Sequence, residues 1–414
     1  MKSYISYMVV ILIFGSFLPS CEKADPIQKE TPKITLNKKA AEIIKADKAF
    51  GFELFREVHN QSEEDNIMIS PLSVSYALGM TYNGAAGTTL EAFNDVLHFS
   101  DLTSEEVNEG YKDLMDQLIH LDDKVEFSIA NSIWYRLGFQ VLQEFINTNK
   151  DYFDAAVKEI DFTDPQTVEL INQWIEDKTN GKIKDMLDYI PEDAVMYLIN
   201  AIYFNATWKY EFEKGDTYQG DFSLTDGTKH QVDYMRVSGI FQYTSNEDFT
   251  AVELPYGDST FSMVVMLPSG ETKVSDLVAK LDVTHWDSWF DDSRFTGVQL
   301  DLPKFKYEFK ELLNDPLTDL GLGVAFSEFE ADFTRINPDG NLFISRVIHQ
   351  TFIDVQEEGT EAAAATIVEI LNTSAGGGGS PIYFKADKPF LYLIKENSTG
   401  TIVFIGKVGK PEYS

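Results

Sequence analysis

Residues 357–368 read Glu357-Glu358-Gly359-Thr360-Glu361-Ala362-Ala363-Ala364-Ala365-Thr366-Ile367-Val368, and this stretch decides the fold. It lies between strand-like runs. Upstream, residues 342–355 (LFISRVIHQTFIDV) mix aromatic and β-branched residues in partial alternation. Downstream come residues 383–393 and then 401–405. Such runs predict strands. The 27 residues 356–382 that join them contain no turn at hairpin distance. A connection that long inside a compact domain is uncommon, and is usually functional where it occurs. Its first half is Ala- and Thr-rich without Pro, whereas residues 372–381 (NTSAGGGGSP) have the composition of a flexible linker. Thr360, Ala362, Ala364 and Thr366 alternate, so an extended backbone would carry all four on one face. All are small enough to enter a packed core without overfilling it. Gly359 can act as a hinge because glycine tolerates unusual backbone angles. The stretch therefore reads as an exposed loop able to become a buried strand. The plainer alternative is a flexible Ala-rich loop or a short helix, and four consecutive Ala residues favour helix.

The rest of the chain bears on that choice. Among 414 residues, 43% are hydrophobic and 13% aromatic, enough for a large core. No Pro/Ser/Gly linker interrupts the interior, so one domain is expected over residues 39–414, with the long loop at about 357–384. The net charge of −33 opposes nucleic-acid binding, which needs a basic face, and equally opposes a heparin-type polyanion.

The N-terminus reads as a processing segment. Lys2 precedes the apolar run 7–18 (YMVVILIFGSFL), which is short for a membrane span. Leu18-Pro19-Ser20-Cys21 then resembles a bacterial lipobox with Cys21 as the lipidated residue. Cys21 is the single Cys of the chain, as suits an exported protein without disulfides. Residues 1–20 are expected to be a lipoprotein signal peptide and 21–38 a polar tether. The protein would then sit in a bacterial cell envelope, periplasm-facing or at the surface, touching the membrane only through lipid.

Ser70-Pro71 reads as a capped helix start, with Pro71 in the first turn where its missing N–H costs nothing. Residues 105–119 form an acidic amphipathic helix in which Lys112 is the one cation. Residues 196–204 (MYLINAIYF) are almost continuously apolar, the pattern of a strand covered on both faces, and Asn200 within it needs hydrogen-bond partners. The six His residues are scattered, and there is no HExxH, paired-Cys or GxSxG pattern. Neither catalytic residues nor a metal or cofactor site is read from the sequence.

Taken together, Glu357 to Thr366, the 198–208 run ending in Trp208, Glu253-Leu254-Pro255-Tyr256, Leu302-Pro303-Lys304-Phe305-Lys306 and Phe404-Ile405-Gly406-Lys407-Val408 resemble the motifs of inhibitory serpins, in order along the chain. The resemblance implies an α+β serpin fold: a large, mostly antiparallel central sheet, two smaller sheets, about nine helices and an exposed reactive-centre loop. It implies a suicide-substrate inhibitor that traps a serine protease, or a cysteine protease, as a covalent acyl complex while its loop enters the sheet. The alternative is a non-inhibitory serpin acting as a binding or chaperone-like module; such members commonly carry a bulky or charged residue at the position of Thr360. The hinge would be Glu357, Gly359, Thr360, Ala362, Ala364 and Thr366. Ser70, Ser73, Asn200 and His349 would form the shutter beneath the sheet, holding two strands together until they part. Trp208, Lys304 and Glu357 would form the breach, where insertion begins, with Lys304–Glu357 as a surface ion pair of little intrinsic strength. Counting from Glu357 places the reactive bond at Thr373-Ser374, or alternatively at Asn372-Thr373. There is no Lys or Arg from 359 through 384. The expected targets are therefore elastase-like or subtilisin-like proteases with a small specificity pocket, papain-like ones second. A monomer is expected.

Overall fold

The computed structural model describes residues 31–413, apart from 193, 341 and 361–380. Its helices are α1 (Lys38–Gln61), α2 (Pro71–Tyr82), α3 (Gly87–Val96), α4 (Ser104–Leu118), α5 (Gln143–Phe153), α6 (Thr167–Lys178), α7 (Val274–Ala279), α8 (Val283–Trp289) and α9 (Asn314–Leu317). The strands are β1 (Asn66–Ile69), β2 (Val125–Arg136), β3 (Ala156–Ile160), β4 (Met196–Thr207), β5 (Tyr218–Ser223), β6 (Lys229–Ser245), β7 (Phe249–Pro255), β8 (Phe261–Pro268), β9 (Arg294–Pro303), β10 (Phe305–Leu312), β11 (Ile348–Gln356), β12 (Gly359–Thr360), β13 (Ile382–Lys385), β14 (Phe390–Glu396) and β15 (Ile402–Val408).

The central sheet has six strands in the order β10-β11-β12-β4-β2-β3, antiparallel except for β2 beside β3. The remaining strands form a second array of nine. The two smaller sheets that were expected are joined there by the long strand β6. Its residues 234–243 pair with β9, and residues 242–245 also pair with β7. This is the α+β architecture expected.

Local chemistry accounts for the elements that place the site. Ser70 caps α2 by accepting the Ser73 N–H, and Pro71 lies in the first turn. Thr103 and Glu106 form a reciprocal capping box at the start of α4. The apolar run of β4 is buried from Ile199 through Phe204, as its composition predicts. Helix α6 covers one face of the central sheet through Ile171 and Ile175, in one cluster with Trp134 and Ile199. On the opposite face, α2 is buried at eleven of its twelve positions and packs into the main core.

Residues 34–37, expected to belong to the tether, are part of the folded body. Ile34 is buried in the core, its N–H donates to Ser398, and Asn37 caps α1. The strand upstream of the hinge is also shorter than its composition suggests, starting at Ile348 rather than 342.

Candidate functional site: the hinge seat and the seam below it

The seam of the central sheet lies between β11 and β4. At its upper end the chain leaves β11, turns through Glu357 and Glu358, and returns as β12. Val355 faces Thr360 and Gln356 faces Gly359 across this hairpin. On the other side Gly359 pairs with Thr207 and Thr360 with Ala206. The start of the hinge, expected as exposed loop, is thus already a two-residue strand wedged between β11 and β4 in the uncut chain. Glu357, Gly359 and Thr360 are all buried. Gly359 is needed here for space rather than for an unusual backbone angle. A Cβ on it would lie 2.1 Å from the carbonyl oxygen of Ala206 and 2.7 Å from Cα of Thr207.

The seat is held by side chains from four segments. Lys304 Nζ lies 2.8 Å from one carboxylate oxygen of Glu357, and Thr217 donates to the other at 2.8 Å. This pair is not on the surface, where the sequence suggests it: the two side chains are 15% and 6% exposed. Burial alone would raise the Glu357 carboxyl. The bonds from Lys304 and Thr217 outweigh it and hold the group below the usual carboxylate range. Trp208 donates its indole N–H to the Gln356 carbonyl (2.9 Å) and its backbone N–H to the Glu358 carbonyl (2.9 Å). Phe212 N–H donates to the Glu357 carbonyl at 3.0 Å. Lys214 pairs with Glu358 on the outside, and Lys304 also sits 4.1 Å over the ring of Tyr413.

Below Thr360 the seam changes character. Among the described residues β11 and β4 share no ladder: β11 pairs with β10 and β12, and β4 with β2 and β12. Between them lies a cavity of about 180 Å³, lined by Ser73, Leu198, Asn200, Ile344, Val347 and His349 among others. Three of the shutter residues, Ser73, Asn200 and His349, line it, and Ser70 binds two of these, His349 and Ser73. Ser70 N–H donates to Nε2 of His349 (3.0 Å), and the Ser70 hydroxyl donates to the Val403 carbonyl (2.7 Å). Ser73 donates to the Asn200 side-chain oxygen, and Asn200 donates to Asn131 at 2.6 Å. His349 and Asn200 are therefore each anchored to the start of α2, one per strand, rather than tying the two strands to each other. Burial pushes the His349 imidazole down to about 4, so Nε2 stays free to accept at neutral pH.

Several participants escape sequence reasoning. Thr217 and Tyr413 carry no local signal, and their roles come from chain segments far from the hinge. Asn131 and Thr351, which donates to the Met68 carbonyl at 2.9 Å, are readable only as polar residues in strands. Ala362, Ala364, Thr366, the bonds Thr373-Ser374 and Asn372-Thr373, and Cys21 lie outside the described residues.

A family model described as Serpin (serine protease inhibitor) matches residues 45–411. An uncharacterized serpin-like protein of Methanosarcina acetivorans is 36% identical over 394 residues, covering 92% of each chain. Human Serpin B11 is 33% identical over 390 residues, covering 88% of this chain and 98% of its own. The native-state crystal structure of tengpin, a thermophilic serpin, superposes with a TM-score of 0.82 at 34% identity, covering 91% of this chain and 96% of that one. Serpins are in general protease inhibitors rather than catalysts, and pair with target proteases. With its motifs in order, its six-stranded sheet seamed by the hinge and a family match over most of its length, the chain belongs to the serpin family.

Proposed function

We propose that this serpin is a suicide-substrate inhibitor of serine proteases, and that one observation carries the reading: the start of the hinge is lodged at the head of a seam in which, among the described residues, β11 and β4 share no ladder. A strand continuing from Thr360 would run between the facing edges of β11 and β4, which pair with each other nowhere among the described residues. The sequence that continues from there, Glu361-Ala362-Ala363-Ala364-Ala365-Thr366, is small enough to fill such a place. Roughly ten further ladder hydrogen bonds at about 1 kcal/mol each would stabilise the inserted form by about 10 kcal/mol, comparable to the stability of a whole domain.

The chemistry is that of an interrupted proteolysis. The target's active serine attacks the carbonyl of Thr373, an ester forms to Thr373, and Ser374 leaves as a free amine. Severed from β13, the segment beyond Thr360 enters the seam and carries the acylated protease with it before water can release it. Insertion of a loop into a sheet is a recognised strain-releasing switch of this kind. A small uncharged residue before the bond suits elastase-like or subtilisin-like specificity pockets, with a papain-like protease as second choice. Lipid on Cys21 would hold the inhibitor at a bacterial envelope as a monomer.

Mixing the protein with an elastase and boiling in detergent should leave a covalent adduct of summed mass. A nick near Thr373 should raise the melting temperature sharply. Complete cleavage with neither an adduct nor a rise in melting temperature would end this reading.

A further inference from the structure

The seat of Thr360 contains a polar contact in which none of the breach residues takes part. Thr360 is 3% exposed, and its hydroxyl lies 2.6 Å from the hydroxyl of Tyr256, which is fully buried. Tyr256 follows the last residue of β7. Its backbone is tied to the end of β4 through a bridge with Trp208 and a bond from Gly257 N–H to the Thr207 carbonyl (3.0 Å). Its ring stacks on Trp208 with centroids 4.3 Å apart and planes 13° from parallel, and meets the edge of Phe204 at 5.4 Å. The ring is therefore held on two sides and its hydroxyl is aimed at one point.

We propose that Tyr256 is the positioning residue of the hinge: its hydroxyl selects threonine at 360 and holds the first two residues of the incoming strand in register before any protease arrives. The physical reason is an asymmetry. Each hydroxyl is buried, so each needs the other, and removing one leaves its partner unsatisfied in a dry site. Alanine at 360 would fit the space but strand the tyrosine, while threonine satisfies it and still buries a methyl group. The bond couples the hinge to Trp208, which also holds the Gln356 and Glu358 carbonyls, so turn and strand are seated as one unit. Tyr256 touches no reacting atom. It acts through Thr360, by keeping the nucleus of the inserted strand formed.

This inference rests on the inhibitory reading only for its second readout. Four full-length proteins decide it: the natural chain, Tyr256→Phe, Thr360→Val and the double variant. Both substitutions keep the shape and remove only a hydroxyl function. The first readout is hydrogen exchange of the Gly359 and Thr360 amides without any protease. The second is the number of inhibitor molecules consumed per elastase trapped. Each single variant should speed exchange of those amides by about five- to ten-fold, the range expected for one net hydrogen bond, and raise consumption in step. The double variant, which leaves no hydroxyl alone, should return both readouts towards the natural chain, a coupling that general loosening would not produce. Unchanged exchange in Tyr256→Phe, or a double variant that sums the two losses, overturns the proposal. Should no elastase be trapped by any of the four, the inhibitory reading fails, while exchange alone still decides for or against Tyr256.

Discussion

The two ends of the seam between β11 and β4 are built on opposite plans. At the upper end a strand already fills the gap, and charged, aromatic and hydroxyl groups from four segments cross it. At the lower end a cavity of about 180 Å³ separates the strands, and the polar groups of each reach down to α2 instead of across. The upper end is held by paired groups, whereas among the described residues no ladder joins β11 to β4 at the lower end. A sheet arranged this way can accept a strand only from the top, in one register, because Gly359 and Thr360 have set the pairing before the rest arrives.

That contrast can be broken from above. Thr360→Arg would place a guanidinium beside Tyr256 in a site 3% exposed. The two carboxylates of the turn, Glu357 and Glu358, are already engaged by Lys304 and Lys214. Burying a cation unpaired costs several kcal/mol. The hinge should leave its seat, and partition towards simple cleavage should rise by about ten-fold or more, read as intact inhibitor consumed per protease trapped. An arginine variant that traps elastase as efficiently as the natural chain would remove the seat from the mechanism.

Lys304→Ala is next. It strands the buried Glu357 carboxylate, and should lower stability by about 3 kcal/mol at pH 7, at the lower end for a broken buried pair because Lys304 is slightly exposed. Chemical denaturation of the uncut protein measures it. A loss below about 1 kcal/mol would return the pair to surface status.

The lower end is tested by acid. The folded pKa of His349, about 4, lies below the ordinary 6.5, so the unfolded chain takes up a proton first. The contribution of neutral His349 is complete above pH 6.5, is lost as pH falls from there to about 4, and amounts to about 3 kcal/mol. His349→Gln should flatten that portion of the stability–pH curve. A parallel curve for the variant would mean that His349 does not carry the acid sensitivity of the shutter.

The smallest effect is expected at Lys214, whose pair with Glu358 lies in solvent, 71% exposed on the lysine side. Lys214→Ala should leave the melting temperature of the uncut protein unchanged and lose nothing more at high salt.

Much of this is legible in the residues themselves. The alternation of Thr360, Ala362, Ala364 and Thr366 announces a segment that can be strand, Ser70-Pro71 announces a capped helix, and the apolar run through Asn200 announces a strand covered on both faces with one amide to satisfy. Those are local properties: side-chain size, period and backbone freedom act within a few residues, so the order of residues carries them. Which hydroxyl meets Thr360, that Glu357 and Lys304 are buried, and that His349 and Asn200 bind α2 rather than each other depend on segments far apart in the chain, up to 279 positions for Ser70 and His349, that the fold alone brings together. The sequence by itself determined that a hinge exists and what it is made of. Only the tertiary structure decided that the start of the hinge, Gly359 and Thr360, rests inside the sheet in the uncut chain, because burial and partnership are properties of the packed whole.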